Sequence, residues 1–281
     1  MATLAGLFCV SGMINVIAQA ESLIIIQKIV PLPIISLLIS IGMYTLNDLV
    51  DADLDKLNGK KRPIPSGLVS RSQAWGFIVW TNGLAILLSI ITLNIISMIL
   101  VVPMLIIGIL YSTPKIALSD RFVIKTLSIA IFYILCAILG FTSTYGLNVA
   151  IANPGGLTYV AIMLGTMIFI SSVFNDLGDV SGDRAAGRHT IPITIGQTKT
   201  IKMSMVLSTA MAIASGTVYL LGGIGLATAL LVCLFSSFVT TKMAKTVKGF
   251  NDAEFMRKQH KKLFPLHLVL QSCLVAGTLL L

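Results

Sequence analysis

Long apolar segments alternate with short polar segments along the whole chain. A helix that crosses the hydrocarbon core of a bilayer needs roughly 20 mainly apolar residues. Polar breaks divide the chain into about nine such segments, which we place near residues 2–20, 29–46, 74–95, 97–112, 123–142, 157–175, 202–221, 223–241 and 264–281. The pattern predicts an all-α, polytopic membrane protein, a bundle of about nine transmembrane helices.

Two of the predicted loops are very short. The third and fourth spans meet at Asn94 to Met98, and the seventh and eighth meet at Gly222 and Gly223. A single long, bent helix would give the same pattern, so it remains an alternative at both places.

Composition excludes an ordinary soluble domain. Hydrophobic residues make up 56% of the chain, charged residues make up 11%, and the mean hydropathy is +0.95. Soluble globular domains carry about 25% charged residues. The four cysteines, Cys9, Cys136, Cys233 and Cys273, lie in apolar spans without close spacing, which favours packing over metal binding or disulfides.

The charged residues are concentrated after the even-numbered spans. Nineteen of the 20 Lys and Arg residues and ten of the 11 acidic residues lie there. Because Lys and Arg are retained on the cytosolic side, we predict that these segments are cytosolic, with the N-terminus inside and the C-terminus outside. The segments are 48–73, 113–122 with Lys125, 176–202 and 242–262. The net charge of +9 suits anionic headgroups or an anionic substrate, and no nucleic-acid motif accompanies it.

One pattern occurs twice in the cytosolic segments. Residues 47–59 and 175–187 both follow N-D-L-x-D-x-x-x-D-[KR]-x-x-G, offset by 128 positions. Each copy is followed by a basic stretch that contains proline. We infer a single domain over residues 1–281, made of two related halves whose equivalent helix ends face one cavity.

The repeated pattern places acidic residues on one helix face, because positions four apart point the same way. The two stripes are Asn47, Asp51 and Asp55, and Asn175, Asp179 and Asp183, with Asp48 and Asp176 beside them. Carboxylates at this spacing repel each other unless a cation compensates them. Oxygen ligands favour Mg²⁺, which is commonly held by one or two carboxylates together with phosphate oxygens. The stripes therefore predict two Mg²⁺ ions with a diphosphate between them, whereas solvated helix ends are the simpler alternative.

These residues resemble the UbiA superfamily of intramembrane prenyltransferases. The likeness extends over nearly the whole chain. It includes the nine predicted helices, Asn47-Asp51-Asp55 followed by Arg62-Pro63-Ile64-Pro65-Ser66-Gly67, Asp179-Asp183, and Tyr111-Ser112-Thr113-Pro114-Lys115 after the fourth span. The resemblance implies Mg²⁺-dependent transfer of a prenyl group from a prenyl diphosphate, through an allylic cation, on the cytosolic side of a cell membrane.

The resemblance also implies roles for individual residues. The catalytic carboxylates would be Asp51, Asp55, Asp179 and Asp183, which reach Mg²⁺ with support from Asn47, Asp48 and Asp176. The residues that would contact the substrate are Asn47, Arg62, Tyr111, Lys115 and Lys125. Arg184, Arg188 and His189 could equally be basic anchors on the cytosolic face.

The compact spacing between Asp55 and Arg62 resembles the archaeal digeranylgeranylglyceryl phosphate synthases and the chlorophyll synthases. The archaeal lipid enzymes are the better match in length. This resemblance implies transfer of a geranylgeranyl group to the hydroxyl of geranylgeranylglyceryl phosphate in ether-lipid synthesis. The alternatives are an aromatic or chlorophyllide acceptor and, from another class, a membrane cation transporter.

Two segments fit the resemblance less simply. The chain begins directly in apolar residues at Met1-Ala2-Thr3-Leu4, where relatives carry a polar segment. Residues 242–262 mix Lys and Arg with apolar residues, which is typical of an interfacial helix or a basic linker at the membrane surface.

Overall fold

The computed structural model of the protein describes residues 30–57, 62–114, 116–145, 154–263 and 265–279. Seven helices in this part of the chain are long and apolar enough to cross a membrane. The predicted all-α membrane fold is confirmed. The first predicted span, residues 2–20, lies outside the described residues.

The helices fall into a long class and a short class. The long ones are α1 (Pro31–Val50), α3 (Arg71–Ile91), α4 (Ile95–Ser112), α5 (Phe122–Tyr145), α6 (Pro154–Ala185), α8 (Gln197–Leu220) and α9 (Leu226–Thr246). The short ones are α2 (Ala52–Leu57), α7 (Ile191–Ile195), α10 (Ala253–Leu263) and α11 (Leu266–Leu279). The ninth predicted span, residues 264–281, corresponds to α11, which has 14 residues.

Both short loops separate distinct helices, so the alternative of a long bent helix is wrong at each place. Between α3 and α4 the backbone of Leu93 has φ +50°, which ends the helical run. The side chain of Asn94 then caps α4 by accepting from Ile96 N at 3.0 Å. Between α8 and α9, Gly222 has φ +74°, a conformation that glycine adopts without strain.

The described residues form two compact units. One contains the residues up to Ser119 and those from Phe132 through 145; the other contains Asp120–Ile131 and the residues from Pro154 onward. In the first unit α1 packs against α3 and α4. Buried Leu32, Ile35, Ile39 and Met43 recur at helical spacing along α1 and form its packed face.

The second unit is built around α6, which packs against α8, α10 and α11. Its buried residues lie on several faces, because consecutive and near-consecutive positions such as Met163, Leu164, Met167 and Ile168 are all buried. A helix that is apolar on every side is surrounded by other helices or by lipid. This arrangement fixes α6 firmly up to the residues of the repeated pattern.

Two predicted boundaries differ from the structure. The sixth span was predicted to end at Asn175, but α6 continues as one helix of 32 residues to Ala185. The segment 242–262 is largely helical, with the end of α9 followed by α10. Met256 and Leu263 of α10 are buried and α10 packs against α6, so this segment is a docked helix and not a solvated linker.

Candidate functional site

The first copy of the repeated pattern crosses the junction between α1 and α2. Although α1 ends at Val50, the amide of Asp51 donates to Asn47 O at 2.9 Å, and the amide of Asp55 donates to Asp51 O at 2.8 Å. These bonds keep the helical four-residue spacing across the junction. The side-chain amide of Asn47 also donates to Asp51 Oδ2 at 3.3 Å. The predicted stripe is therefore present.

Arg62 neutralises the carboxylates of this first copy. Its guanidinium pairs with Asp48 and, at 2.8 Å, with Asp55, whose side chain is only 2% exposed. The chain turns directly after Arg62, and Val69 N donates to Pro63 O at 3.1 Å. Arg62, which was predicted to bind diphosphate, thus lies at the acidic stripe.

Asp53 lies off the stripe. It belongs to α2, where helical geometry continues past Asp51. Its side chain is exposed and pairs with Arg71 at 2.7 Å.

The second copy lies entirely within α6. Asn175, Asp179 and Asp183 share one face of this helix by their spacing. Asp176 beside them is buried, and Lys125 Nζ donates to its Oδ1 at 2.6 Å. Lys125 is itself buried, so the two charges compensate each other inside the protein.

Arg188 joins the second copy to the segment before α5. Its Nε lies 2.9 Å from Asp120 Oδ1, and its Nη1 lies 3.6 Å from Asp183 Oδ1. The neighbouring His189 amide donates to Asp120 O at 3.2 Å. The sequence left Arg188 open between function and anchoring, and did not single out Asp120.

Arg257 of α10 is a site residue that the sequence analysis missed. Its Nη2 lies 3.1 Å from Asp179 Oδ1, and its Nε donates to Gly178 O at 3.1 Å. A Cβ added to Gly178 would lie 2.7 Å from Arg257 Cγ. The signal was present in the sequence, since the first copy has Val50 at the position where the second has Gly178.

His260 lies one turn further along α10. Burial lowers the pKa of its imidazole below the usual value near 6.5, while the negative charge of Asp179 acts in the opposite direction. The imidazole is therefore mainly neutral at pH 7. Arg257, and not His260, supplies the positive charge of α10 at Asp179.

Of the other two predicted substrate contacts, Tyr111 and Lys115, only Tyr111 lies in the described part of the chain. Tyr111 lies at the end of α4 and is buried, with 7% of its surface exposed. Lys115 lies outside the described residues. The aromatic residues Phe132, Tyr133 and Phe174 are fully buried.

The donor set has the chemistry that Mg²⁺ requires. Within the described ranges, no group of three or more His, Cys, Asp or Glu side chains is arranged to hold a metal ion. Mg²⁺, however, commonly takes only one or two carboxylates and completes its shell with water and phosphate oxygens. The buried Oδ2 of Asp176 has no hydrogen-bond partner in the described structure, so the second copy offers an oxygen that a hydrated ion can engage.

Comparison with known proteins identifies relatives in sequence. A model of the UbiA prenyltransferase family matches residues 3–264. A digeranylgeranylglyceryl phosphate synthase of Methanoregula boonei is 32% identical over 212 residues, which are 72% of this chain and 70% of that protein. The synthase of the same name from Thermococcus sibiricus is 29% identical over 170 residues, 60% of this chain. The match spans 57% of that relative's length.

Solved structures share the fold. One, from a study of digeranylgeranylglyceryl phosphate synthase in membranes, has a TM-score of 0.71 at 20% identity and covers 100% of this chain and 94% of its own. A UbiA homologue from Archaeoglobus fulgidus, solved with GPP and Mg²⁺, has a TM-score of 0.70 at 17% identity. That comparison covers 96% of this chain and 95% of the homologue. At these identities the likeness concerns the helical architecture.

Proposed function

Because this chain belongs to the UbiA prenyltransferase family, we propose that it transfers a geranylgeranyl group from geranylgeranyl diphosphate to the free hydroxyl of geranylgeranylglyceryl phosphate. The bond between the allylic carbon and the diphosphate oxygen breaks, and an ether bond to the acceptor oxygen forms. The acceptor hydroxyl loses its proton to the diphosphate, which leaves. The product is an archaeal-type ether lipid.

The observation that carries this proposal is the pairing of acids with bases at both copies of the repeated pattern. Arg62, Lys125, Arg188 and Arg257 lie against the motif carboxylates. Carboxylates with adjacent cations match a metal-bound diphosphate, in which negative oxygens and positive ions alternate. The relatives in sequence are digeranylgeranylglyceryl phosphate synthases, which supports the choice of acceptor.

The proposed metal ligands are the carboxylates of the two stripes, Asp51, Asp55, Asp179 and Asp183, with Asn47, Asp48 and Asp176 beside them. When bound there, Mg²⁺ would neutralise the charge that develops on the departing diphosphate. The chain's own part is to hold these oxygens in place. The Asn47 amide orients Asp51, and Arg62 orients Asp55.

The proposed diphosphate ligands are cationic. Arg62, Lys115 and Lys125 donate hydrogen bonds to diphosphate oxygens, and Tyr111 contacts the substrate from the end of α4. Cations aimed at a leaving group act where charge develops in the transition state, and their effect is largest away from bulk water. Lys125 meets that condition, because its side chain is 11% exposed and is already held by Asp176.

The reaction also requires that water be kept from the allylic cation, which water would convert to prenyl alcohol. The long, apolar α6 leads directly into the second motif, with Val173, Phe174 and Leu177 fully or almost fully buried. We propose that the motif face is cytosolic, following the distribution of Lys and Arg. The N-terminus would then be inside and the C-terminus outside.

The proposal is tested with detergent-purified full-length protein, Mg²⁺ and radiolabelled geranylgeranyl diphosphate. Geranylgeranylglyceryl phosphate is supplied in one tube and 4-hydroxybenzoate in another, and the lipid products are separated. Omission of Mg²⁺ and addition of EDTA are the controls. We expect a labelled ether lipid only with the glycerophosphate and only with Mg²⁺.

Two other outcomes would each overturn one part of the proposed function. A labelled product with the aromatic acid alone retains prenyl transfer but replaces the acceptor. Equal product in EDTA removes the metal from the mechanism. Either result overturns the corresponding part of the proposal while family membership still stands.

A further inference from the structure

A groove of about 500 Å³ runs along α8 beside α9, and none of its lining residues belongs to the repeated motifs. Its lining residues are Lys202, Met205, Val206, Thr209, Ala210 and Ile213 of α8 and Thr240 of α9. Pockets that hold small molecules commonly measure about 300–1,000 Å³. The walls are mainly apolar, so the groove suits a hydrocarbon chain.

The groove follows the length of α8. Its lining positions recur every three or four residues and thus form one stripe on the helix. From Lys202 to Ile213 the stripe extends roughly 16 Å at about 1.5 Å per residue. This is close to half of the roughly 30 Å hydrocarbon core, the depth of one leaflet. Both helices are candidate membrane spans, so a lipid chain is the occupant available to such a groove.

The charged end of the groove lies at a basic end of the helix pair. Ser208 Oγ donates to Ser236 O at 3.0 Å, which sets the antiparallel register of α8 and α9. Lys202 lies six residues before Ser208, and Lys242 lies six residues after Ser236. Both lysines therefore lie at the same end, where their side chains reach toward lipid headgroups.

Two polar groups of the groove have no protein partner within the described part of the chain. The buried Thr240 Oγ1 lacks a hydrogen bond. No ion pair involves the exposed Lys202 there, whereas Arg62, Lys125, Arg188 and Arg257 are all paired with carboxylates. The Thr240 oxygen is itself covered by protein, so Lys202 is the polar group available to a ligand. A positive charge at one end of an apolar groove matches the phosphate and chain of a phospholipid.

We propose that this groove binds one anionic phospholipid of the surrounding bilayer, with its phosphate at Lys202 and one chain between Val206 and Ile213. Charge complementarity selects the headgroup, and the apolar walls hold the chain. A zwitterionic lipid can also occupy the apolar groove, but its electrostatic attraction to Lys202 is weaker. The site is separate from the proposed prenyl transfer and does not depend on it.

Native mass spectrometry of the purified full-length protein tests this proposal. The protein is mixed with equal amounts of phosphatidylglycerol and phosphatidylcholine of identical chains, and the retained lipids are counted. The variants are Lys202→Gln, Ala210→Phe, which fills the groove from an exposed position, and the matched control Lys199→Gln. Lys199 is an exposed lysine of α8 that does not line the groove. Circular dichroism checks that each variant is folded.

We expect the wild type and Lys199→Gln to retain one phosphatidylglycerol in preference to phosphatidylcholine. Lys202→Gln should lower that preference about fivefold, the effect of one lysine at a membrane surface. Ala210→Phe should lower retention of both lipids. An unchanged preference in Lys202→Gln, or unchanged retention in folded Ala210→Phe, overturns the proposal. Should Ala210→Phe fail to fold, the comparison of the two lysine variants decides alone.

Discussion

Replacing Gly178 with alanine sets two physical effects against each other. Gly178 lies inside α6, where alanine is favoured over glycine by about 1 kcal/mol. By helix propensity alone the substitution should stabilise the protein. However, the new Cβ would lie 2.7 Å from Arg257 Cγ and 3.4 Å from Arg257 N, so the arginine must move.

The expected magnitude follows from the contacts that Arg257 would lose. Its pair with Asp179 contributes less than about 1 kcal/mol, because more than half of the Arg257 side chain is exposed. Its hydrogen bond to Gly178 O contributes about 1.5 kcal/mol, the lower end for a charged donor. After the gain from helix propensity, Gly178→Ala should destabilise the protein by about 1 kcal/mol.

The assay is thermal unfolding in detergent followed by tryptophan fluorescence, on wild type, Gly178→Ala, Arg257→Ala and the double variant. Without the Arg257 side chain, Gly178→Ala should become stabilising by about 1 kcal/mol. The coupling between the two sites should thus be about 2 kcal/mol. Gly216→Ala in α8 is the matched control, because an added Cβ there meets nothing within 4 Å, and it should stabilise.

The sign of the stability change caused by Gly178→Ala tests whether Arg257 contacts α6. Stabilisation by Gly178→Ala in the wild-type background, equal to that of Gly216→Ala, would show that α10 does not contact α6 through Arg257. Equal effects of Gly178→Ala with and without Arg257 would refute the same reasoning.

Three further predictions concern the motif. Asp51→Ala and Asp179→Ala should each lower the proposed turnover at least about 100-fold without lowering the unfolding temperature markedly, since each removes stabilisation at the reacting centre; wild-type rates in a prenyl-transfer assay would remove these residues from the site. Arg62→Ala should mainly weaken diphosphate binding, measured by isothermal titration, and an unchanged affinity would exclude Arg62 as a ligand. Lys125→Ala should cost about 3 kcal/mol of stability because it leaves Asp176 buried without its cation, whereas replacing both by apolar residues should cost less; equal unfolding temperatures for the single variant and wild type would contradict this.

The sequence predicted the membrane helices well because hydropathy measures directly which segments tolerate lipid. Hydropathy alone ends the sixth span at Asn175, whereas the helix continues to Ala185, as the four-residue spacing of the second motif indicated. Hydropathy marks where apolar side chains end, whereas a helix ends only where its backbone bonds end. In the first motif one helix ends and the next begins at Asp51, yet hydrogen bonds between residues four apart continue across this junction.

The partners of the acidic residues could not be predicted in the same way. Periodicity assigns each carboxylate to a helix face but does not say which distant segment covers that face. Lys125 and Asp176 are 51 positions apart, and Arg257 and Gly178 are 79 positions apart. Only the exchange of Val50 for Gly178 between the two copies indicated a close neighbour, and a glycine alone does not identify that neighbour.

The length of α6 has a consequence for how an amphiphile could be handled. Its 32 residues measure about 48 Å at roughly 1.5 Å per residue, well beyond the roughly 30 Å of hydrocarbon. Even a tilted helix of that length projects into the aqueous boundary, and its acidic residues occupy the projecting end. The hydrocarbon chain of an amphiphile would therefore contact the apolar part of α6 within the bilayer. Its charged head group would contact the acidic part of α6 in water. The protein would not need to move the hydrocarbon chain into water or the head group into lipid. The boundary between membrane and water would itself align the amphiphile.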